Sequence, residues 1–472
     1  MIMQLRLCFV AFAPFVLFNG AGAEQPGPPP GGTVLVEAER FADYGGWVDD
    51  SQFMDQMGSP FLLAHGLGTP VRDATTEVKL PRSGDYRIWV RTRDWVAPWN
   101  AKGAPGRFQV VLDGTALETA FGTEGAAWQW QDGGTRWLDD RVRIALHDLT
   151  GFDGRCDALL LVPEDGSRFQ PPHGGPRLAR LRTQLSDIPR APVDAGHFDL
   201  VVVGGGIAGT CAAISAARHG LSVALIQDRP ILGGNNSSEV RVWLQGARNI
   251  HPYRHIGTIV AQLEQEKRAH YGPANQPELY EDHKKLALVR AEKKIALRLL
   301  HRANGVETDG NRITAVIAQH TRTGVQYRFR GRWFADCTGD GCIGHLAGAD
   351  YEMTVPGHMG RCNLWHALPT NTEQPFPRCP WALDLSDKPF PGRSPLRLES
   401  LGGWYWESGF DHDPFEKSEY IRDWNLRAAF GAWDALKNTD GVFPNHRLNW
   451  VAYVSGKRES RRLLGDVQLT QK

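Results

Sequence analysis

The run FDLVVVGGGIAGTCAAISAARHGLSVALIQDRPILGGNN, from Phe198 to Asn236, constrains this chain more than any other stretch. Leu200 to Val203 is a short β-branched run that reads as a buried strand, and a tight turn must follow it. Gly204 permits that turn, Gly206 lets the backbone come close to a pyrophosphate, and Gly209 lets the next helix pack on the strand. The helix opens at Ile207 and Ala208, so its N-terminus faces the phosphates. Ala212, Ala213, Ala216 and Ala217 continue it, His219 and Gly220 end it, and Val223 to Ile226 supply a second parallel strand. With 52 glycines in 472 residues, the G-x-G-x-x-G spacing alone says little. The strand before it, the helix after it and the second strand at the right distance make it a dinucleotide-binding βαβ unit. One position departs from the pattern. The carboxylate expected on a ribose at the end of the second strand is replaced by Gln227, followed by Asp228 and Arg229. Gln227 can still hydrogen-bond ribose hydroxyls, which predicts weaker charge complementarity with binding retained.

Three ordered stretches extend this reading: VVVGGGIAGTCAAISAARHGLSVALIQDRPILGGNNSSEVRV from residue 201, FADCTGDGCIGHLAGADYEM from 334, and GKRESRRLLGDVQLTQ from 456. Together they resemble the FAD-dependent oxidoreductases related to the flavin-binding component of heterodisulfide reductase, a branch of the glutathione-reductase-like flavoproteins. The resemblance covers roughly residues 196 to 472. It implies a Rossmann-like α/β domain over 197–472 that holds FAD, with a β-meander crossing back to the flavin sheet and a partly helical substrate region. It also implies that Gly233 and Gly234 let the backbone approach the flavin dinucleotide, with Asn235, Asn236 and Ser237 offering donors beside it; a polar loop is the plain alternative. By the same resemblance Thr338, Gly339, Asp340 and Gly341 return the chain to the flavin after the apolar strand Trp333 to Cys337. Gly339, Gly341 and Gly344 repeat the glycine spacing, but Asp350 and Glu352 arrive too soon for a helix and a second strand, so no NAD(P)H domain is visible. Relatives usually continue past the third stretch, which makes a C-terminally incomplete domain the expectation.

Between these motifs, Arg254 to His270 and His283 to His301 read as helices, and Arg312 to Gln319, Val325 to Phe329 and Trp333 to Cys337 as three strands separated by polar turns. Asp413, Pro414 and Glu416 form a helix start whose buried face carries Ile421, Trp424, Ala428 and Trp433. Oxidising an alcohol by hydride transfer needs a base near the substrate hydroxyl. His358, Arg361 and His366, after the flavin-returning segment, and Glu239 and Arg241, after the Gly-Gly-Asn-Asn loop, are the candidates; each also reads as an ordinary surface or structural residue. Cys156, Cys211, Cys337, Cys342, Cys362 and Cys379 lack the compact spacing of four thiolates that an iron–sulfur cluster needs. A redox pair of Cys337 with Cys342 competes with buried structural cysteines as the default.

The first residues make an independent statement. Arg6 precedes an apolar run from Leu7 to Phe18, and small residues follow up to Ala23. That fits a secretory signal peptide over 1–23, too short for a membrane span, and predicts a secreted or periplasmic protein. A Pro/Gly linker over 24–32 leads into 33–163, where Thr33 to Ala38, Tyr86 to Arg91, Phe108 to Leu112 and Ala158 to Val162 read as strands of an all-β sandwich. Through VEAERF and DGRCDALLLV this segment resembles a carbohydrate-binding jelly roll. In that fold Glu37, Glu39 and Asp157 can meet around a structural calcium, against the alternative of solvent-facing carboxylates. Sugar rings stack on exposed indoles, and Trp95 and Trp99, flanking Pro98, are the candidates for exposure, although burial is the commoner fate of a tryptophan. A second linker is expected over 164–196.

Charge balance excludes little beyond bulk electrostatics: 53 basic and 53 acidic residues give no field to recruit nucleic acid. The combined expectation is a secreted FAD-dependent oxidoreductase acting on a carbohydrate or related alcohol, with an electron acceptor the residues do not name. A thiol or disulfide flavin reductase and a glycan-binding protein with an inactive flavin domain remain alternatives.

Overall fold

The computed structural model describes residues 28–166, 169–269 and 271–468. The proposed signal peptide lies outside these residues. Among the described residues no helix is long and apolar enough to cross a membrane.

The N-terminal region is built from antiparallel strands. They are β1 (Val34–Glu37), β2 (Val48–Asp50), β3 (Phe61–Ala64), β4 (Ala74–Lys79), β5 (Gly84–Thr92), β6 (Phe108–Leu112), β7 (Thr115–Ala116), β8 (Gln129–Leu138), β9 (Arg141–Asp148), β10 (Gly154–Cys156) and β11 (Ala158–Pro163), with one helical turn, α1 (Met54–Met57), between β2 and β3. One sheet has the order β1-β11-β5-β8 and another β4-β9-β6-β7, with a third, β10-β3-β2, beside them. Strand alternation explains the burial. Tyr86, Ile88 and Val90 of β5 and Leu159 and Leu161 of β11 point inward, onto Val110, Val142, Ile144 and Leu146 of the facing sheet. Trp89 of β5 and Ala158, Leu160 and Val162 of β11 point the other way, and Leu178 and Leu181 cover them.

Those two leucines belong to a helix, α2 (Gly175–Leu185), inside the segment 164–196 expected to be a linker. Leu178, Leu181 and Leu185, three and four residues apart, carried the helical period; the Pro and Gly around them masked it. The next strand also begins early, at Val193.

The second region is organised by a six-stranded sheet of β12 (Val193–Val203), β13 (Val223–Ile226), β14 (Ile295–Arg298), β15 (His301–Asp309), β16 (Arg312–His320) and β17 (Gln326–Asp336), in the order β14-β13-β12-β17-β16-β15. β14, β13, β12 and β17 run parallel, β16 pairs antiparallel with β17, and β15 pairs antiparallel with β16. Helix α3 (Ile207–Arg218) crosses from β12 to β13, α5 (Asp282–Ala291) precedes β14, and the short α6 (Cys342–Leu346) follows β17. Three local expectations are corrected. The helix expected over His283 to His301 stops at Ala291, because Ile295–Arg298 pairs with Val223–Ile226 and buries the edge of β13. The helix expected from Arg254 is only α4 (Thr258–Leu263). The strands expected over 325–329 and 333–337 are one continuous strand, since Gly331 and Arg332 pass through the ladder against β12 without turning.

Helix α7 (Ser418–Asp434) starts after the expected Asp413 cap; Asp413 instead accepts backbone N–H bonds from Phe415 and Glu416 in the turn before it. This helix is buried on nearly every side, because the β-rich region packs on it. Trp95, Val96 and Phe152 from the first region share one apolar cluster with Trp365, Trp381, Phe430 and Trp433 from the second. Trp95 is therefore fully buried, against the expectation of exposure, with its Nε1 donating to the Phe152 carbonyl at 3.0 Å. Trp99 is half-buried, donates to the Tyr420 hydroxyl at 2.7 Å and carries the Arg427 guanidinium on its face. Beside this cluster, Arg155 binds Asp423 through two nitrogens, each at 2.7–2.8 Å, and Glu419 at 2.7 Å. Arg422 reaches Asp423 at 2.7 Å and Asp50 at 2.8 Å, and Arg93 reaches Glu419 at 2.9 Å. Three guanidiniums thus face three carboxylates across the junction.

Candidate functional site

The glycine turn between β12 and α3 has the geometry its spacing predicts. Gly204 sits at φ +101°, where a side chain would be strained, and a β-carbon at Gly209 would lie 1.8 Å from the Gly204 carbonyl oxygen. The helix can approach the strand this closely only without that carbon. Gly206, by contrast, has nothing within 4 Å of where its β-carbon would be, so the backbone there is open to a ligand. It precedes the first turn of α3, at Ile207 and Ala208, whose amides have no partner one turn back within the helix. Gly206 pairs with Gly233, and Gly234, at φ +61°, closes against Gly206. These features fit a pyrophosphate: an open backbone face at a helix start with a positive end.

The other motif residues converge on the same place. Asn235 clamps the backbone of Lys457, its Nδ2 donating to the Lys457 carbonyl at 2.9 Å and its Oδ1 accepting from the Lys457 amide at 3.0 Å. Lys457 Nζ reaches Asp340 at 2.6 Å, and the Ser460 hydroxyl donates to Asp340 at 2.9 Å. Burial would raise the Asp340 carboxyl, but Lys457 and Arg361 outweigh it and hold it at about 2. The loop carrying Thr338, Gly339 and Gly341 is fixed by Thr338 Oγ1, which donates to Asp336 and accepts from the Asp340 and Cys342 amides. All three stretches that suggested the flavoprotein resemblance therefore meet around Asp340 and Lys457.

Gln227 behaves differently from expectation. Its Oε1 accepts from the Gly205 amide at 2.7 Å and its Nε2 donates to the Ile231 carbonyl at 3.1 Å, so it braces the glycine turn from inside and its polar atoms are already engaged. The carboxylate beside the turn is Asp228, held low, against the penalty of burial, by Arg302 at 3.1 Å. Arg302 in turn binds Asp55 of the N-terminal region at 2.6 Å. Asn236 is buried and donates to Gln265 Oε1 and the Val242 carbonyl, a structural role. Arg229 pairs with Glu239 at 2.6 Å and donates to the Ser51 and Tyr453 hydroxyl oxygens.

Of the five catalytic candidates, one lines a cleft. Glu239 is committed to Arg229. Both ring nitrogens of buried His358 lie against carbonyl oxygens, of Met359 and His412. Arg361 is half-buried near Asp340, within the cradle. Arg241 and His366 are brought together: Arg241 Nη1 donates to His366 Nε2 at 2.8 Å, and the guanidinium lies 3.9 Å from the Trp450 ring centre. Burial, with Arg241 second, pulls the His366 ring down to about 4. Arg241 opens on a cleft of about 670 Å³ whose wall includes Trp243, Trp404, Tyr405, Phe410, Arg458 and Glu407. Arg458 directly follows Lys457, and the Val242 amide donates to the Asn235 carbonyl, so the cleft wall is joined through the backbone to the segments that form the glycine cradle. Glu407, whose carboxyl burial raises despite Arg458 at 3.4 Å, was missed by sequence reasoning. It sits on the two-residue strand Glu407–Ser408 in a segment with no motif around it.

The remaining expectations are corrected. Glu37, Glu39 and Asp157 do lie near one another, but Arg91 and Arg182 both bind Asp157, and Arg182 also reaches Glu37 at 3.5 Å. The guanidiniums supply the positive charge that calcium would, and among the described residues no set of three acidic, His or Cys side chains is arranged for a metal. All six described cysteines are free, Cys337 and Cys342 included.

The family described as FAD dependent oxidoreductase matches residues 199–374. A soluble pyridine nucleotide transhydrogenase of Marinobacter nauticus is 51% identical over 39 residues, and the match spans 8% of either chain. Among solved structures, a myxobacterial FAD-dependent chondrochloren halogenase is 17% identical, with 39% of this chain and 46% of that one covered and a TM-score of 0.26. A family 35 carbohydrate binding module from Clostridium thermocellum is 19% identical, covering 28% of this chain and 98% of its own at a TM-score of 0.23.

Proposed function

We propose that the protein, whose residues 199–374 match the FAD-dependent oxidoreductase family, is a secreted enzyme that oxidises a hydroxyl group of a carbohydrate or related alcohol. The observation that carries this reading is the linkage of two features: the open glycine cradle at Gly206 and the aromatic cleft at Arg241, whose segments are tied together through Asn235 and Lys457. Bound in the cradle, FAD would supply a two-electron hydride acceptor. The first turn of α3 would face its pyrophosphate, and Asp340, held by Lys457 and Ser460, would accept hydrogen bonds from its polyol chain. Gly233, Gly234, Thr338, Gly339 and Gly341 would admit the rest of it without side-chain obstruction.

The chain's own chemistry is a proton transfer. Among the described residues that line the cleft, Glu407 is the carboxylate, and its raised affinity for a proton suits a base that takes the substrate hydroxyl proton as the C–H hydride leaves and the carbonyl forms. The aromatic wall would exclude water and hold the ring of the substrate. Calcium plays no part in this reading. Nor does a glycan platform at Trp95 and Trp99, since both indoles are engaged by the second region.

The test is the visible spectrum of the mature chain from Glu24, recorded without oxygen before and after a panel of sugars. A flavin spectrum bleached by a sugar supports the proposal. A flavin reduced by dithiols and by no sugar transfers it to thiol chemistry. A protein that stays colourless with added FAD removes the enzyme reading. In the same experiment Gly209→Val, which drives a side chain into the Gly204 carbonyl, is expected to lower flavin content about tenfold or more.

A further inference from the structure

Arg241 is a buried cation without an anion. The residue is 7% exposed, yet its hydrogen bonds go to the Ser238 carbonyl at 3.1 Å, the Asn275 carbonyl at 3.1 Å and the neutral-ring acceptor His366 Nε2. No described carboxylate forms an ion pair with it; Tyr280 and Glu278 act on it only at longer range. Burial pulls its guanidinium down to about 10. It is also held at φ +63°, a left-handed conformation that a long side chain rarely adopts, so its position carries backbone strain as well as an unpaired charge. A buried charge left this way is costly unless a partner arrives to meet it.

The rest of the wall narrows the chemistry of that partner. Trp243, Tyr405 and Phe410 offer flat apolar faces, and Tyr405 and Phe410 are exposed at the mouth of the cleft. A planar aromatic acid would suit those faces and Arg241, but without ring hydroxyls it would bring no donor to Glu407, whose carboxylate accepts hydrogen bonds. A ligand that uses all three must carry a carboxylate, a face of C–H bonds and hydroxyl donors. We infer that the cleft takes a uronic acid residue, a carboxylated pyranose, with its carboxylate on Arg241, its ring face on the aromatic wall and a hydroxyl donating to Glu407. The inference rests on the reading of this cleft as the substrate site.

The experiment compares D-glucuronate, its methyl ester and D-glucose as ligands of the full chain loaded with FAD, followed by tryptophan fluorescence at constant ionic strength. A charge-assisted bond to a buried guanidinium predicts that the acid binds roughly tenfold or more tighter than the ester. Arg241→Gln should bring the acid down to the ester's affinity and leave the ester unchanged. Equal binding of acid and ester by the unaltered chain overturns the inference, as does an acid preference that survives Arg241→Gln, or absence of binding by all three. The unaltered chain decides the matter even if the variant does not fold. Acid preference without bleaching by any sugar would keep the carboxylate site and discard the oxidation; bleaching by neutral sugars without acid preference would do the reverse.

Discussion

Two sets of buried arginines divide this molecule. At the junction of the two regions, Arg93, Arg155 and Arg422 face Asp50, Glu419 and Asp423, with contacts of 2.7–2.9 Å. In the cleft, Arg241 is nearly as buried and meets only carbonyls, an imidazole and an indole face. The first arrangement recovers the desolvation of its charges inside the folded chain. The second leaves that recovery to something from outside. Buried charge is therefore informative here through its pairing and not through its burial.

The largest effect that could break the contrast is at the junction. Asp423→Ala leaves Arg155 and Arg422 without their shared carboxylate, and urea unfolding should show a loss of about 3–5 kcal/mol. A loss below about 1 kcal/mol would mean the network is no more structural than the cleft. Next in size is a pH effect at His366, whose folded-state value of about 4 lies below its ordinary 6.5. A depressed histidine contributes stability that is complete above 6.5 and is lost as pH falls through 4, because the unfolded chain binds the proton more readily. Roughly 2–3 kcal/mol should disappear over that interval, and His366→Gln should remove that share of the acid dependence in denaturant titrations at pH 7 and 4.5.

Arg241→Met sharpens the comparison by its smallness. It gives up hydrogen bonds to two carbonyls and to His366 Nε2 but also relieves an unpaired buried charge, so the net cost should be about 1 kcal/mol or less by the same unfolding assay. Smallest of all is Glu77→Gln, which breaks an ion pair with Arg141 that is more than half exposed on both sides. Its expected change is within about 0.5 kcal/mol, and it calibrates what a surface pair is worth in this protein.

The contrast also explains what was legible in the sequence. The glycine cradle could be read because its requirements are local: Gly204, Gly206 and Gly209 act through backbone conformation and close approach, which spacing alone specifies. The convergence of Asn235, Asp340 and Lys457 followed from ordered motifs. The strand Ile295–Arg298 could not be read, because its apolar pattern continues that of α5 and only pairing with β13 makes it a strand. Trp95 looked like a loop residue because the surface that buries it lies some 280 residues or more downstream, at Trp381 and Phe430. Arg241 was visible as a candidate, but what distinguishes it, a missing carboxylate, is a property of its surroundings. Glu407 had no local mark at all.

The apolar cluster in which Trp95, Val96 and Phe152 meet Trp381 and Phe430 has a consequence for how this chain comes apart. Each region also has an apolar core of its own, but a boundary drawn by composition near residue 196 separates the two sides of this third one, so neither region can open without exposing it. Calorimetry should then find one cooperative transition, not a melt of the β-rich region followed by a melt of the second region, and hydrogen exchange in β11 and in α7 should report the same opening event.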